Sequence, residues 1–204
     1  MKITTYWKNL LSGLVVLVFA TSCNDFLDVH PAGEVDESEQ FSSIRGYRNA
    51  MYGVYGSMAT ANLYGKNLGY GFVDQLGQLF GYDNSSETSY FVSQYNYLRS
   101  DVRAIVDGIW GNQYQTISYV NNILRNAESP QFNHKELAVM RGECYGLRAF
   151  LHFDLVRLFA EDYGRSDATT RGIPYATTFD LNNKPILTLH KTFEAILNDL
   201  NQAE

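Results

Sequence analysis

Apolar residues recur every three or four positions over several long stretches of the chain, the period of helices that each bury one face. Phe41, Ile44, Tyr47, Met51, Tyr55 and Met58 predict a first helix over 38–59, with Tyr47 and Tyr55 on its core side. Ile105, Ile109, Ile117, Val120 and Leu124 predict a long helix over 101–127, and Pro130 ends the pattern soon after. Leu137, Met140, Cys144, Leu147, Leu151, Leu155 and Leu158 mark a second long helix over 134–163. A last helix starts near Thr188, with Phe193, Ile196, Leu197, Leu200 and Ala203 expected on its buried side.

Between these stripes the signals weaken. Glycines at 65, 69, 71, 77 and 81 oppose a regular helix, while Leu68, Phe72, Leu76 and Leu79 keep its spacing, so a short irregular helix is expected. The Asp83-Asn84-Ser85-Ser86 side chains compete for backbone hydrogen bonds and predict a loop. Residues 164–185 read as another loop, and no segment alternates convincingly as a strand. The expectation is an all-α fold in which the two long helices, joined by a short connection, pack as an antiparallel pair. Helix pairs of this size suggest tetratricopeptide-like stacking, without a clean 34-residue self-similarity. The last helix still shows an apolar face at Glu204, so a partner for that face is expected to be missing.

The first residues follow a different logic. Lys2 and Lys8 make a positive leader, Leu10 to Phe19 a short apolar run, and Ala20-Thr21-Ser22 a set of small residues before Cys23. This reads as an export signal over 1–22, and a transmembrane helix is the weaker reading, since the run is about half the roughly 20 residues that span a bilayer. Small residues before a cysteine resemble a bacterial lipobox, although Ala20 stands where a larger aliphatic residue is usual. Cys23 would then be the lipidated first residue of the mature protein; the alternative is an ordinary secretory signal with an incidental cysteine. Residues 23–37 are expected to form an extended arm, because Pro31 keeps its predecessor extended.

Charge narrows the partners. The 204-residue chain is 45% hydrophobic, enough for one domain over 38–204, and carries net charge −6. Removing the leader takes away Lys2 and Lys8 and no acid, so 14 basic residues face 22 acidic ones, net −8. Nucleic acid is excluded by that balance, and an anionic membrane would not hold the chain without acyl groups on Cys23. With only Cys23 and Cys144, no disulfide framework exists, and Cys144 reads as a small buried apolar residue.

Candidate chemistry is sparse. Glu161 and Asp162 sit side by side at a helix end and read as solvated, not as a hydrolytic pair facing across a bond. His30, His134, His152 and His190 are scattered without metal-ligand spacing, so no metal, no cofactor and no enzymatic activity are predicted. Nine of the fifteen tyrosines, however, fall between Tyr47 and Tyr97. Tyr82, Asp83, Asn84, Tyr90, Phe91 and Tyr95 lie in or beside the predicted loop, where rings could stack on sugar C–H faces and amides or carboxylates bond hydroxyls. A packed ring with a bonded hydroxyl is the alternative for each tyrosine.

Six motifs occur in a recognisable order: Cys23 with Leu27-Asp28 and Pro31; Gly53-Val54-Tyr55; a helix carrying Trp110, Tyr114, Ile117 and Asn121; the run from Gly142-Glu143 through Leu147-Arg148-Ala149-Phe150-Leu151-His152-Phe153-Asp154 to Phe159; Gly172-Ile173-Pro174; and Asp199-Leu200 with Ala203. This order resembles the SusD/RagB family of outer-membrane nutrient-binding lipoproteins. Ala160-Glu161-Asp162 departs from the family's usual glycine, and no arginine precedes the helix near Thr188. The resemblance implies a helical, lipid-anchored protein of the outer-membrane surface that binds oligosaccharide and delivers it to a SusC-like TonB-dependent channel. It also implies that Trp110, Tyr114, Asn121, Glu143, Arg148 and Asp154 form a structural motif, with Arg148 tying helices together and Glu143 as one possible partner. Such proteins are usually more than twice this length. The alternative function is a structural module that docks on a barrel or envelope protein without gripping sugar; a periplasmic peptide-binding repeat is a third.

Overall fold

In the computed structural model, which describes residues 36–81 and 87–204, Ser43 interrupts the first apolar stripe. Its extended backbone and its side chain, which accepts from the Gly46 amide at 3.3 Å, end α1 (Glu37–Gln40) and start α2 (Ile44–Met58). One helix over 38–59 is therefore two, divided by a cap. The glycine-rich stretch holds only α3 (Phe72–Leu76) between hydrogen-bonded turns, and α4 (Thr88–Ser93) follows. The long helices are α5 (Ser100–Glu128) and α6 (Glu136–Phe159), the first about 43 Å long at 1.5 Å per residue. Strand β1 (Arg171–Pro174) pairs antiparallel with β2 (Ile186–Thr188), which runs directly into α7 (Leu189–Ala203).

The two strands correct the strandless expectation. Four and three residues are too few to show a period of two, so their pairing is visible only in space. Gly172 explains why a strand fits there: a Cβ at this position would lie 2.3 Å from Thr192 Oγ1 and 3.1 Å from Leu189 Cα. Only glycine lets β1 lie this close to the first turn of α7, and Ile173 beside it fills the core.

Helix α6 occupies the centre, between α5 and α7, and buries residues on more than one face. Leu137, Met140, Cys144, Leu151 and Leu155 are buried as their stripe predicts, whereas Leu147 and Leu158 are half-buried and the polar Arg148, His152 and Asp154 go inside. Cys144, its thiol pushed up to about 12 by burial, packs against Met51 as an apolar residue. The main core joins α2, α5, α6 and α7 with β1. A smaller second core, Leu63, Leu68, Phe72, Val92, Val102 and Ile109, lies under the turns and α4.

Two expectations about faces change. Tyr55 is 42% exposed, and its hydroxyl donates to Glu143 instead of entering the core. On α7 the inward face is Leu189, Thr192, Ile196 and Asp199, while Leu197 and Leu200 are 58% and 45% exposed. With Phe150, Phe153 and Phe193 they line an open apolar groove of about 450 Å³ between α6 and α7.

Deleting buried methyl groups costs transfer energy and leaves a cavity, so Leu151→Ala should lower stability by about 2–5 kcal/mol in urea unfolding. Leu197→Ala should change it by about 0.5 kcal/mol or less. Equal losses at both positions would mean that the helix faces are assigned wrongly.

Candidate functional site

Arg148 lies at the meeting point of α5, α6, α7 and the segment after β1, with only 6% of its surface exposed. Its Nε and Nη2 donate to the two oxygens of Asp199, each at 2.7 Å, in a bidentate pair. Its Nη1 donates to Asn121 Oδ1 at 2.9 Å and to the Thr177 carbonyl at 3.3 Å. Asn121 in turn donates to the Ala176 carbonyl at 3.0 Å, and the Tyr175 hydroxyl donates to Asp199 at 2.6 Å. Burial and the neighbouring Asp199 push the Tyr175 hydroxyl well above its ordinary range, which keeps it a donor.

His152 completes this knot. The Ala176 amide donates to its Nε2 at 3.0 Å, so the ring proton sits on Nδ1 and is donated to the Arg148 carbonyl at 2.9 Å. The ring stacks on Tyr175 at 3.9 Å, and burial lowers its pKa to about 4, so it is neutral near pH 7. Glu143 is not the partner of Arg148: it is exposed and bound by Tyr55. Residues five apart on a helix point about 140° from each other, which puts Glu143 outside when Arg148 is inside.

The other motif residues also hold elements together. Asp154 accepts from the Tyr64 hydroxyl at 2.8 Å and from Arg157 at 2.7 Å. Trp110 packs against Tyr114 and Phe159, both 4.9 Å away, and the Tyr114 hydroxyl donates to the Pro174 carbonyl at 2.7 Å. Among the described residues, no group of three or more His, Cys, Asp or Glu could hold a metal ion, and no helix is long and apolar enough to cross a membrane.

A different kind of surface lies around α3 and α4. Gln78 and Tyr95 both hold positive φ, 53° and 55°, a conformation that costs a non-glycine residue roughly 1–2 kcal/mol. They meet: Gln78 Nε2 donates to the Ser93 carbonyl at 3.0 Å and reaches the Tyr95 hydroxyl at 3.5 Å, and that hydroxyl donates to the Leu76 carbonyl at 3.1 Å. This brace holds Tyr95 with 52% of its surface in solvent. Strain of this kind persists only where surrounding contacts enforce it.

Of the sequence-predicted ligand candidates, Tyr82, Asp83 and Asn84 lie outside the described residues, as does Cys23. Tyr90 is half-buried with its ring edge-on to Phe91 at 5.3 Å. Arg99 lies over the Phe91 ring, its guanidinium carbon 3.7 Å from the centroid, so that face is covered. Tyr97, Leu98, Leu79 and Phe80 are exposed in the same part of the chain, and sequence reasoning did not single them out. The helical spacing of Leu79 does not extend the helix, because α3 stops at Leu76.

The profile of a SusD-like family, described as starch-binding and associating with the outer membrane, matches residues 25–204. The chain belongs to the SusD-like family. SusD-like protein P2 of Formosa agariphila is 25% identical over 166 residues, which is 79% of this chain and 32% of that protein. Two crystal structures share the fold: a candidate sugar-binding protein from Bacteroides vulgatus (TM-score 0.67, 20% identity, 80% of this chain and 37% of that one) and a SusD superfamily protein from Bacteroides thetaiotaomicron (TM-score 0.61, 19% identity, 79% and 36%). The matched part of the chain thus spans about a third of the length of these relatives. Its mostly helical, tetratricopeptide-like architecture, with little strand, agrees with the SusD-like fold.

Removing one member of a buried ion pair leaves the other charge uncompensated. Arg148→Met should therefore cost about 3–5 kcal/mol, and Arg148→Met with Asp199→Leu less than the sum of the two single changes, measured in a double-mutant cycle. His152 gives a pH dependence whose sign follows from its lowered pKa. As pH falls, the unfolded chain takes this proton near 6.5 and the folded chain only near 4, so stability declines between those values by up to about 3 kcal/mol. Urea unfolding of His152→Gln should show a shallower decline over pH 6.5–4 than the parent; equal slopes would remove His152 as the cause.

Proposed function

We propose that this chain is part of a cell-surface lipoprotein that binds starch- or oligosaccharide-type glycan and hands it to a SusC-like TonB-dependent channel in the outer membrane. Residues 1–22 act as the export signal, Cys23 carries the lipid, and residues 23–37 form the arm to the membrane. The protein acts by binding, without catalysis and without a cofactor. The supporting observation is the exposed aromatic ledge held by the Gln78–Tyr95 brace, in a chain of a family described as starch-binding. A rigid exposed ring suits a sugar C–H face, because little freedom is lost when the ligand docks. Tyr90, Tyr95 and Tyr97 supply rings on this reading, and Tyr82, Asp83 and Asn84 the hydrogen bonds to hydroxyls.

The cavity beside Tyr97 holds only about 240 Å³, below the roughly 300–1,000 Å³ of sites that bury most of a ligand's surface. Affinity of this chain alone is therefore expected to be weak, with the further length found in its relatives enclosing the glycan. The second reading, a module that docks on a barrel or envelope protein without gripping sugar, is favoured by the open groove between α6 and α7.

A glycan array and calorimetry separate the two. The first reading expects saturable oligosaccharide binding that Tyr95→Ala weakens about two- to tenfold, the worth of one aromatic contact. Binding untouched by Tyr90→Ala, Tyr95→Ala and Tyr97→Ala together would remove the ledge as the site, and no binding at all would favour the docking module. Anchoring has its own test: Cys23→Ala should release the mature protein from the membrane fraction, and retention there would sink the lipoprotein assignment.

A further inference from the structure

A pocket of about 380 Å³ opens between the last turns of α5, the middle of α6 and the segment after β1. It shares no residue with the aromatic ledge. Arg125 and Glu128 come from α5, Tyr145 from α6, and Thr177 and Phe179 from the segment after β1, with Arg148 and Asn121 also in the lining.

The pocket is built on the hydrogen-bonded knot around Arg148. Arg148 and Asn121 are fixed by Asp199 and by the carbonyls of Ala176 and Thr177, so the lining they contribute cannot drift. The Arg148 guanidinium carbon lies 5.2 Å from the centre of the Tyr145 ring, and that of Arg125 lies 4.6 Å from the centre of the Phe179 ring. Each aromatic ring is thus held by a cation.

Against these held groups stand three with unused capacity. The Glu128 carboxylate, the Tyr145 hydroxyl and the Thr177 hydroxyl line the pocket without a hydrogen-bond partner among the described residues. A carboxylate accepts hydrogen bonds and two hydroxyls can do either, which matches a ligand rich in hydroxyl groups. Arg125, one turn from Glu128 on α5, offsets its charge, and Arg148 is already paired with Asp199, so the lining carries little net charge to reward a charged ligand. Ring faces beside such groups suit the apolar C–H face of a sugar. The volume lies toward the small end of the roughly 300–1,000 Å³ usual for ligand sites, the size for a terminal sugar unit and not a long chain.

We infer that this pocket is a second saccharide site, which takes the end of a neutral sugar with Glu128 accepting from its hydroxyls and Tyr145 and Phe179 flanking the ring. The ligand class rests on the glycan-binding reading, while the location rests on the pocket alone.

Amide chemical-shift titration of the chain with glucose, galactose, xylose and maltose, and with diglycine as a charged control, tests it. Saturable shifts are expected at Glu128, Tyr145 and Thr177 with at least one sugar. Glu128→Gln should weaken that binding about tenfold and Tyr145→Phe by a smaller factor, with Tyr95→Ala leaving it unchanged. Glu128 is exposed and has no partner among the described residues, so an unaltered melting temperature should confirm that its variant is folded. No saturable shift at the pocket with any of the sugars, a response to diglycine alone, or full affinity in Glu128→Gln would each overturn the inference. Shifts confined to 90–97 would overturn it while leaving the ledge in place, and shifts confined to the pocket would support it while removing the ledge.

Discussion

The buried pair of Arg148 and Asp199 is the constraint around which the main core is arranged. Taking two charges out of water costs several kcal/mol each, and attraction between them offsets this only when geometry is close and the remaining donors are met. Here the carboxylate receives two guanidinium bonds and one from Tyr175, and the guanidinium is further occupied by Asn121 and the Thr177 carbonyl. These partners come from three separate parts of the chain, namely α5, α7 and the segment after β1. The requirement to satisfy one cation therefore fixes α5, α7 and the segment after β1 against α6 simultaneously.

That constraint also sets which face of α7 turns inward. An apolar count alone would direct Leu197 and Leu200 to the core together with Ile196. Turning the helix to do so would carry Asp199 away from Arg148 and leave a buried cation unpaired, which outweighs the gain from burying two leucines at about 1.5–3 kcal/mol each. The observed face, Leu189, Thr192, Ile196 and Asp199, gives up that gain. The open groove beside α6 is thus the counterpart of the ion pair: the apolar surface on α7 that the pair keeps from the core remains at the surface.

The same competition explains what could be read from the sequence. Helices α5 and α6 follow long apolar stripes and appear within a few residues of their expected ends, because many weak signals add over 24 or more positions. The inward Arg148, His152 and Asp154 interrupt that logic, since a polar residue on a helix reads as solvent-facing until its partners are known. Family resemblance marked Arg148 and Asp199 as motif residues but not as a pair, because 51 residues separate them. In the candidate site, the abundance of tyrosine was visible, whereas the positive φ of Gln78 and Tyr95 was not. Neither residue belongs to a type that announces left-handed backbone, so their brace follows from the packing of α3 and α4 and not from local propensity.

The two outward apolar surfaces then have different standing. The ledge rests on its own small core of Leu63, Leu68, Phe72, Val92, Val102 and Ile109, against which Leu158 and Phe159 of α6 also pack. Its backing is complete within this chain, and its strained residues are bonded to one another. In a stack of helices each layer touches chiefly its neighbours, so a face left open beyond α7 disturbs α6 and α7 before it disturbs a ledge supported from the other core. The geometry of the Gln78–Tyr95 brace is therefore set within its own core, independently of whatever covers the groove.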